Sequence, residues 1–287
     1  MKRLAIIAAA GVSLCAAAAR AGTILDDTFT YSGGPGSTTP YVNNASIIGQ
    51  QPDTANLPGG VYSQSNSAFT SSIDTNGVGQ PVPSDLLGPQ NAQYVPLQSN
   101  GIYVEPSSLT VSMDIRLGSI AGTDAPMRGM ALGFDATNSA NTPDAGNGIN
   151  GVLLDTQGNL KLMTSTVNGG LPTTTTLIPY SAASFGGNAF SNNTFYTLQY
   201  SVDTTTGAIT NLSLFNTTGS ESLAAAGIVA ALTGSGTNYL AVQSSGNDGN
   251  AQGAIDNLMV SSPTPEPTSI GLLGLASLGL LIRRRRN

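Results

Sequence analysis

The chain has no histidine, no tryptophan and a single cysteine, Cys15, and only 9% of its residues are charged. Without histidine there is no Ser-His-Asp or Cys-His triad, no imidazole zinc site and no imidazole acid-base chemistry. Cys15 lies in an N-terminal apolar run expected to be removed, so the mature chain has no thiol for disulfides, thiolate metal sites or nucleophilic catalysis. The lack of tryptophan takes away the commonest platform for stacking on sugar rings. Cations are scarce where they would matter for nucleic acid: between residues 22 and 262 only Arg116, Arg128 and Lys161 face 15 acidic residues, a net charge of −12. Such a surface repels phosphate backbones, whose binding depends on neutralisation by Lys and Arg, and nucleic-acid binding is excluded. Apolar residues nevertheless make up 40% of the chain, more than a disordered polymer carries. The body therefore folds, with solubility supplied by Ser, Thr, Asn and Gly.

Both ends carry targeting signals. Lys2 and Arg3 precede an apolar run over residues 4–19, and Ala19-Arg20-Ala21 supplies the small-x-small pattern after which signal peptidase cuts. Residues 1–21 are thus expected to form a signal helix, with the mature chain starting at Gly22. Leu14, directly before Cys15, is wrong for a lipoprotein signal, which needs a small residue there. At the other end Pro265, Glu266 and Pro267 are followed by residues 269–282, which carry no charge, and then by Arg283, Arg284, Arg285 and Arg286. Those 14 uncharged residues fall short of the ~20 that a membrane-spanning helix needs, so the short C-terminal hydrophobic helix is a weak anchor. The arginine cluster stays on the cytoplasmic side by the positive-inside bias and leaves everything before it outside. The two prolines hold Glu266 in extended backbone, an accessible shape for a processing enzyme.

This order of tripeptide, Gly/Leu-rich segment and arginine cluster resembles the PEP-CTERM sorting signal of exported bacterial proteins, over residues 263–287. The resemblance implies an exosortase that cuts near Pro265-Glu266-Pro267 and passes the body from the inner membrane to the cell surface or an extracellular polysaccharide (biofilm) matrix.

Residues 22–262 are long enough for one all-β domain or two smaller ones, and one is the expectation. Leu109, Val111, Met113, Ile115 and Leu117 alternate with Thr110, Ser112, Asp114 and Arg116, the period of a strand with one buried face. Met130, Leu132 and Phe134 repeat the pattern, as do Tyr196, Leu198, Tyr200 and Val202. Two hairpins are predicted, one turning at residues 155–159 and one at residues 203–207. A first strand is expected over residues 23–31 and a last one over residues 253–260, where Ile255 and Leu258 or Val260 face inward. Only residues 221–232, with Ala224, Ala225 and Ala226, look helical, for one or two turns. Short strands between Gly/Asn/Asp/Thr turns predict an all-β, antiparallel, two-sheet jelly-roll sandwich. The opening Ile24-Leu-Asp-Asp-Thr-Phe29 and the closing Ile255-Asp-Asn-Leu258 resemble the concanavalin-like (lectin or laminin-G) jelly rolls, which raises the expectation for fold more than for function.

Candidates for chemistry are few. Glycoside hydrolysis needs a carboxyl pair, but the body has only Glu105 and Glu221 as glutamates and no Glu-x-Asp-x-x-Glu arrangement; Asp114, on the clearest strand, is the remaining catalytic candidate. Asp135, Asn138, Asp144 and Asn147 gather oxygen ligands in a Gly-rich loop of the sort Ca²⁺ takes, and Asp248, Asn250 and Asp256 form a second cluster; such residues more often serve turns. Tyr94, Tyr103, Tyr180 and Phe185 are the aromatics offered for sugar stacking. Asn-x-Ser/Thr triplets at Asn44, Asn192, Asn211 and Asn216 are expected by chance in so Asn/Thr-rich a chain. The expectation is a non-catalytic module that associates with extracellular polysaccharide, with Ca²⁺ as a candidate cofactor and no catalytic residues. The alternative is a divergent carbohydrate-active enzyme, a glycoside hydrolase or lyase-like jelly roll, and a passive surface filler also suits this composition.

Overall fold

Strict alternation along residues 108–117 builds the centre of one sheet. In the computed structural model Leu109, Val111, Met113, Ile115 and Leu117 are all essentially inaccessible, and the polar residues between them occupy the other face. The structure describes residues 23–29, 48, 51–55, 61–64, 72–74, 84–87, 91–97, 108–118, 128–135, 149–164, 173–229, 239–245 and 253–262. Thr23–Val260 form one compact unit; residues Met1–Gly22 and Ser261–Asn287 belong to another. The signal helix, its cleavage residues Ala19 and Ala21, and the whole C-terminal signal lie outside the described residues. Among the described residues no helix is long and apolar enough to cross a membrane.

Among the described residues the first sheet has nine strands. Its path runs β14 (Gly219–Ile228), β13 (Ala208–Asn216), β12 (Tyr196–Asp203), β7 (Ser108–Arg116), β16 (Gly253–Ser261), β1 (Thr23–Asp27) and β2 (Thr54–Ala55); β5 (Ser84–Leu87) pairs with both β16 and β4 (Ser72–Asp74). The second has seven, in the order β11 (Thr173–Ile178), β10 (Leu160–Thr164), β9 (Asn150–Asp155), β8 (Gly129–Asp135), β15 (Tyr239–Ser245), β6 (Asn91–Pro96) and β3 (Ser63–Gln64). The described pairings are antiparallel, for instance Tyr200 opposite Val111 and Leu132 opposite Val152. The result is the expected two-sheet antiparallel sandwich of jelly-roll type.

Inward-facing side chains of both sheets merge into one core, including Val111, Met113, Leu132, Phe134, Val152, Leu198, Tyr200 and Leu214. Tyr200 is fully buried and its hydroxyl crosses the interior to donate to the Leu132 carbonyl at 2.8 Å, a direct polar tie between the sheets. The other face of the second sheet carries a smaller buried cluster of Ala131, Ile149, Leu153, Met163 and Ala241. At the opening strand Asp27 is fully buried and accepts from Phe29 N and from the Tyr62 hydroxyl, both at 2.8 Å.

Both predicted hairpins form. Asp155 Oδ1 accepts from Gln157 N and Asn159 N, and Asp203 Oδ1 from Thr205 N and Thr206 N, so each turn is organised by the aspartate that opens it. The last strand resolves the choice between Leu258 and Val260: both are buried on one face by alternation, and Ile255 is buried with them across a change of phase at residues 256–257, where Asn257 adopts φ 48°. The first strand is shorter than expected, ending at Asp27.

The expected helix over residues 221–232 is not there. Residues 219–228 are an edge strand, paired with β13 from Asn216 opposite Gly219 to Ala208 opposite Ile228. Alanine's helix preference is worth only tenths of a kcal/mol per residue, and one or two turns cannot repay the cost of nucleation. Pairing with β13 satisfies the inner edge of this strand's backbone and turns Glu221 and Ala226 inward. Residues 230–232 lie outside the described residues.

Candidate ligand-binding groove

The connection from β11 to β12, residues 179–195, passes from the second sheet to the first. It contains a single 3-10 turn, Ala182–Phe185, and ends where Tyr196 enters β12. Four rings hold it together in a closed cycle. Tyr180 stacks on Phe185 at 4.9 Å between centroids, Phe185 meets Tyr196 edge-on at 5.7 Å, Tyr196 stacks on Phe190 at 4.9 Å, and Phe190 meets Tyr180 edge-on at 5.3 Å. These are the offset and edge-to-face geometries that aromatic quadrupoles favour.

The β9–β10 turn fixes this cycle from one side. Asp155 Oδ2 accepts from Lys161 Nζ at 2.8 Å and from Asn159 Nδ2 at 2.9 Å, and Asn159 Oδ1 in turn accepts from Tyr180 N at 3.0 Å. Gly158, at φ 87°, lies against the rings: a Cβ there would come within 2.6 Å of Phe190 and 2.9 Å of Tyr180. From the other side, Glu221 Oε1 accepts from Ser181 N. Glu221 is buried, among the described residues its Oε2 has no hydrogen-bond partner, and burial pushes its carboxyl above the usual range despite the bond from Ser181 N.

A groove of about 360 Å³ opens over the ring cycle. Tyr180, Asn188, Ser191, Thr194 and Tyr196 line it from the β11–β12 connection, with Asn216 and Thr218 from the turn between β13 and β14. The Tyr180 hydroxyl donates to the Asn188 carbonyl at 3.0 Å, and the Tyr196 hydroxyl accepts from Ser191 N at 3.3 Å. Desolvation and then the neighbouring Tyr196 hydroxyl push the Tyr180 phenol up to about 12. Asn216 Oδ1 accepts from Thr218 N, Thr218 Oγ1 and Gly219 N, and Asn188 Nδ2 donates to the Phe185 carbonyl at 2.7 Å. Among the described residues, that leaves the Asn216 Nδ2 donors and the Asn188 Oδ1 acceptor unused on one groove.

A second polar cluster lies on the outer face of the first sheet. Asp114 Oδ1 accepts from Thr197 Oγ1, and its Oδ2 accepts from Asn257 Nδ2 at 2.7 Å. Asp256 is buried, accepts from Asn257 N at 2.8 Å, and is pushed up to about 7 by desolvation and by the charge of Asp114.

Of the residues singled out from sequence, Tyr180 and Phe185 come together, but in different roles: Tyr180 lines the groove, whereas Phe185 is fully buried beneath it. Asp114 and Asp256, drawn from two different candidate sets, meet on one face, and Glu221 sits behind Tyr180. Asp135 is the last residue of β8, and Tyr94 lies in β6. Asn138, Asp144, Asn147, Asp248, Asn250, Tyr103 and Glu105 lie outside the described residues, as do Pro265, Glu266, Pro267 and Arg283, Arg284, Arg285 and Arg286. Among the described residues no group of three or more acidic, Cys or His side chains could hold a metal ion. Sequence reasoning missed Asn188, Ser191, Thr194 and Thr218. The triplet starting at Asn216 marked the right turn, but as a chance sequon rather than a groove wall.

The fold and groove define a two-sheet jelly-roll sandwich with a polar cleft at one connection. Residues 263–286 match the family model of the PEP-CTERM protein-sorting motif, which marks the chain as exported, processed by an exosortase and held transiently at the membrane. No curated protein matches the chain. Among solved structures it is similar to domain 4 of AbnA, an extracellular arabinanase from Geobacillus stearothermophilus in complex with arabinotriose, with 12% identity and a TM-score of 0.40, covering 88% of this chain and 98% of that one. It is also similar to the alginate lyase of Aplysia kurodai, with 9% identity and a TM-score of 0.41 over 67% of this chain and 87% of that one. The receptor-binding domain of botulinum neurotoxin D shows 13% identity and a TM-score of 0.42, covering 89% of this chain and 52% of that one. The chain spans about half the length of the neurotoxin type C structure as well, 51%.

Proposed function

We propose that this protein is an exported, exosortase-sorted surface or matrix protein whose sandwich associates with extracellular polysaccharide without catalysing its cleavage. The groove over the Tyr180–Tyr196 hydroxyl pair carries this proposal: its wall is a set of hydroxyls and amides held on a rigid aromatic floor, the chemistry that sugar hydroxyls pair with. Its described lining contains no carboxyl group, whereas glycosidic cleavage requires two. The sorting motif supports delivery to the place where such a ligand is found.

The test has two arms. Intact mass of the protein released by cells with and without the exosortase should show loss of the tail beside Pro265, Glu266 and Pro267 only when the enzyme is present; an uncut tail in both would overturn the sorted destination. The released protein should be retained by polysaccharide from its own matrix, and failure to bind would overturn the carbohydrate role.

One observation favours a second reading, a divergent carbohydrate-active enzyme. Asp256, held near 7 beside Asp114, has the profile of an acid with a carboxylate partner. Hydrolysis or lysis of matrix polysaccharide that is abolished in both Asp114→Asn and Asp256→Asn would establish it; an inert wild-type protein would end it.

A further inference from the structure

We infer that the groove takes an uncharged sugar segment, recognised through vicinal hydroxyls, and that uronate and sulfated glycans are excluded from it. This rests on the carbohydrate reading above and narrows it to a ligand class. A sugar hydroxyl both donates and accepts, so its complement is a wall offering donors and acceptors side by side. The groove has this composition: Asn216 Nδ2 is an unused donor, Asn188 Oδ1 an unused acceptor, the Thr194 hydroxyl can act in either sense, and the Thr218 hydroxyl, whose proton goes to Asn216 Oδ1, can accept. A carboxylate or sulfate asks for something else, namely donors only, with a cation to offset its desolvation.

No cation supplies that here. Of the three in the body, Lys161 is paired with Asp155 at 2.8 Å, Arg116 lies over the Phe195 ring at 6.0 Å on the outer face of the first sheet, and Arg128 is absent from the groove lining. A charge beside the groove is of the wrong sign, since the Glu221 carboxyl reaches Ser181 N, next to Tyr180. The surrounding body, with 15 acids against three cations, repels polyanions at longer range.

The test is binding of the exported full chain to immobilised polysaccharides at low and physiological salt. The neutral panel is dextran, arabinan, galactan and mannan; the acidic panel is alginate, polygalacturonate and chondroitin sulfate. The expected result is binding to at least one neutral polymer with little salt dependence and no binding to the acidic ones. Asn216→Asp keeps the Oδ1 acceptor that shapes the turn but loses the Nδ2 donor; it should weaken neutral binding about tenfold with the thermal transition unchanged. Strongest binding to a uronate or sulfated polymer would overturn the inference while leaving the carbohydrate reading intact. Neutral binding unaffected by Asn216→Asp would show that the groove is not the site. Binding to none of the polymers would overturn both.

Discussion

Replacing Tyr200 by Phe isolates the polar tie between the two sheets and separates its effect at neutral pH from its effect in alkali. At pH 7 the variant loses one buried hydrogen bond, from the phenol to the Leu132 carbonyl at 2.8 Å, and no packing volume beyond an oxygen. Such a bond contributes about 1 kcal/mol, which for a body of this size lowers Tm by about 2–4 °C. Alkali reverses the order. Burial pushes the Tyr200 phenol well above its ordinary value of 10.0, so the folded protein keeps the proton that the unfolded chain gives up. Stability from a group raised in this way is complete below the unfolded pKa and drains away as pH rises above it, by about 1.4 kcal/mol per pH unit. Phenylalanine carries no such liability. The two stabilities should therefore converge above pH ~10 and cross at roughly pH 10.5–11, the other tyrosines affecting both proteins alike. Thermal melts followed by far-UV circular dichroism between pH 7 and 11 would show this. A variant as stable as wild type at pH 7, or a Tm gap that stays constant into alkali, would refute the assignment.

Gly151→Ala should cost about 2 kcal/mol or more, because the added Cβ would lie 2.2 Å from the Leu132 carbonyl oxygen and 2.5 Å from Gly133 Cα, backbone atoms that cannot step aside; a Tm within a degree of wild type would contradict this. Asp256→Asn should change the pH profile in the acid-to-neutral range. With its folded pKa raised from 3.8 to about 7, Asp256 makes the wild type lose stability as pH climbs through that window, so the variant should gain on it from pH 4 to 7 and hold a constant lead beyond; a flat difference across a Tm series would count against a buried Asp256 beside Asp114. Asn159→Ala removes both the acceptor for Tyr180 N and a donor to Asp155 Oδ2, and should weaken neutral-polysaccharide binding several-fold at a stability cost of about 2 kcal/mol, measurable by pairing retention assays with melts.

The sandwich was legible wherever a strand has one wet face. Residues 109–117 and 196–202 alternate because one side packs on the opposite sheet, and Asp155 and Asp203 announce their turns through side chains that cap their own backbone. The alanines of β14 misled because an edge strand's identity is decided by its partner, here β13, which no local propensity records. The groove was harder to foresee for the same reason. Asn188 and Asn216 are 28 positions apart and meet only because the β11–β12 connection folds over the β13–β14 turn on a four-ring floor. Tyr180 was picked out as a ring for stacking on sugar; one face of that ring is covered by Phe185, and its hydroxyl is what the groove presents.

Hydrogen exchange on the exported chain, with and without a bound neutral polysaccharide, tests the central claim most directly. Slower exchange confined to residues 180–196 and 216–219 is the predicted result, since these segments wall the groove. Protection that appears only elsewhere, for example across the Asp114 and Asp256 face, or no protection despite binding, would contradict it.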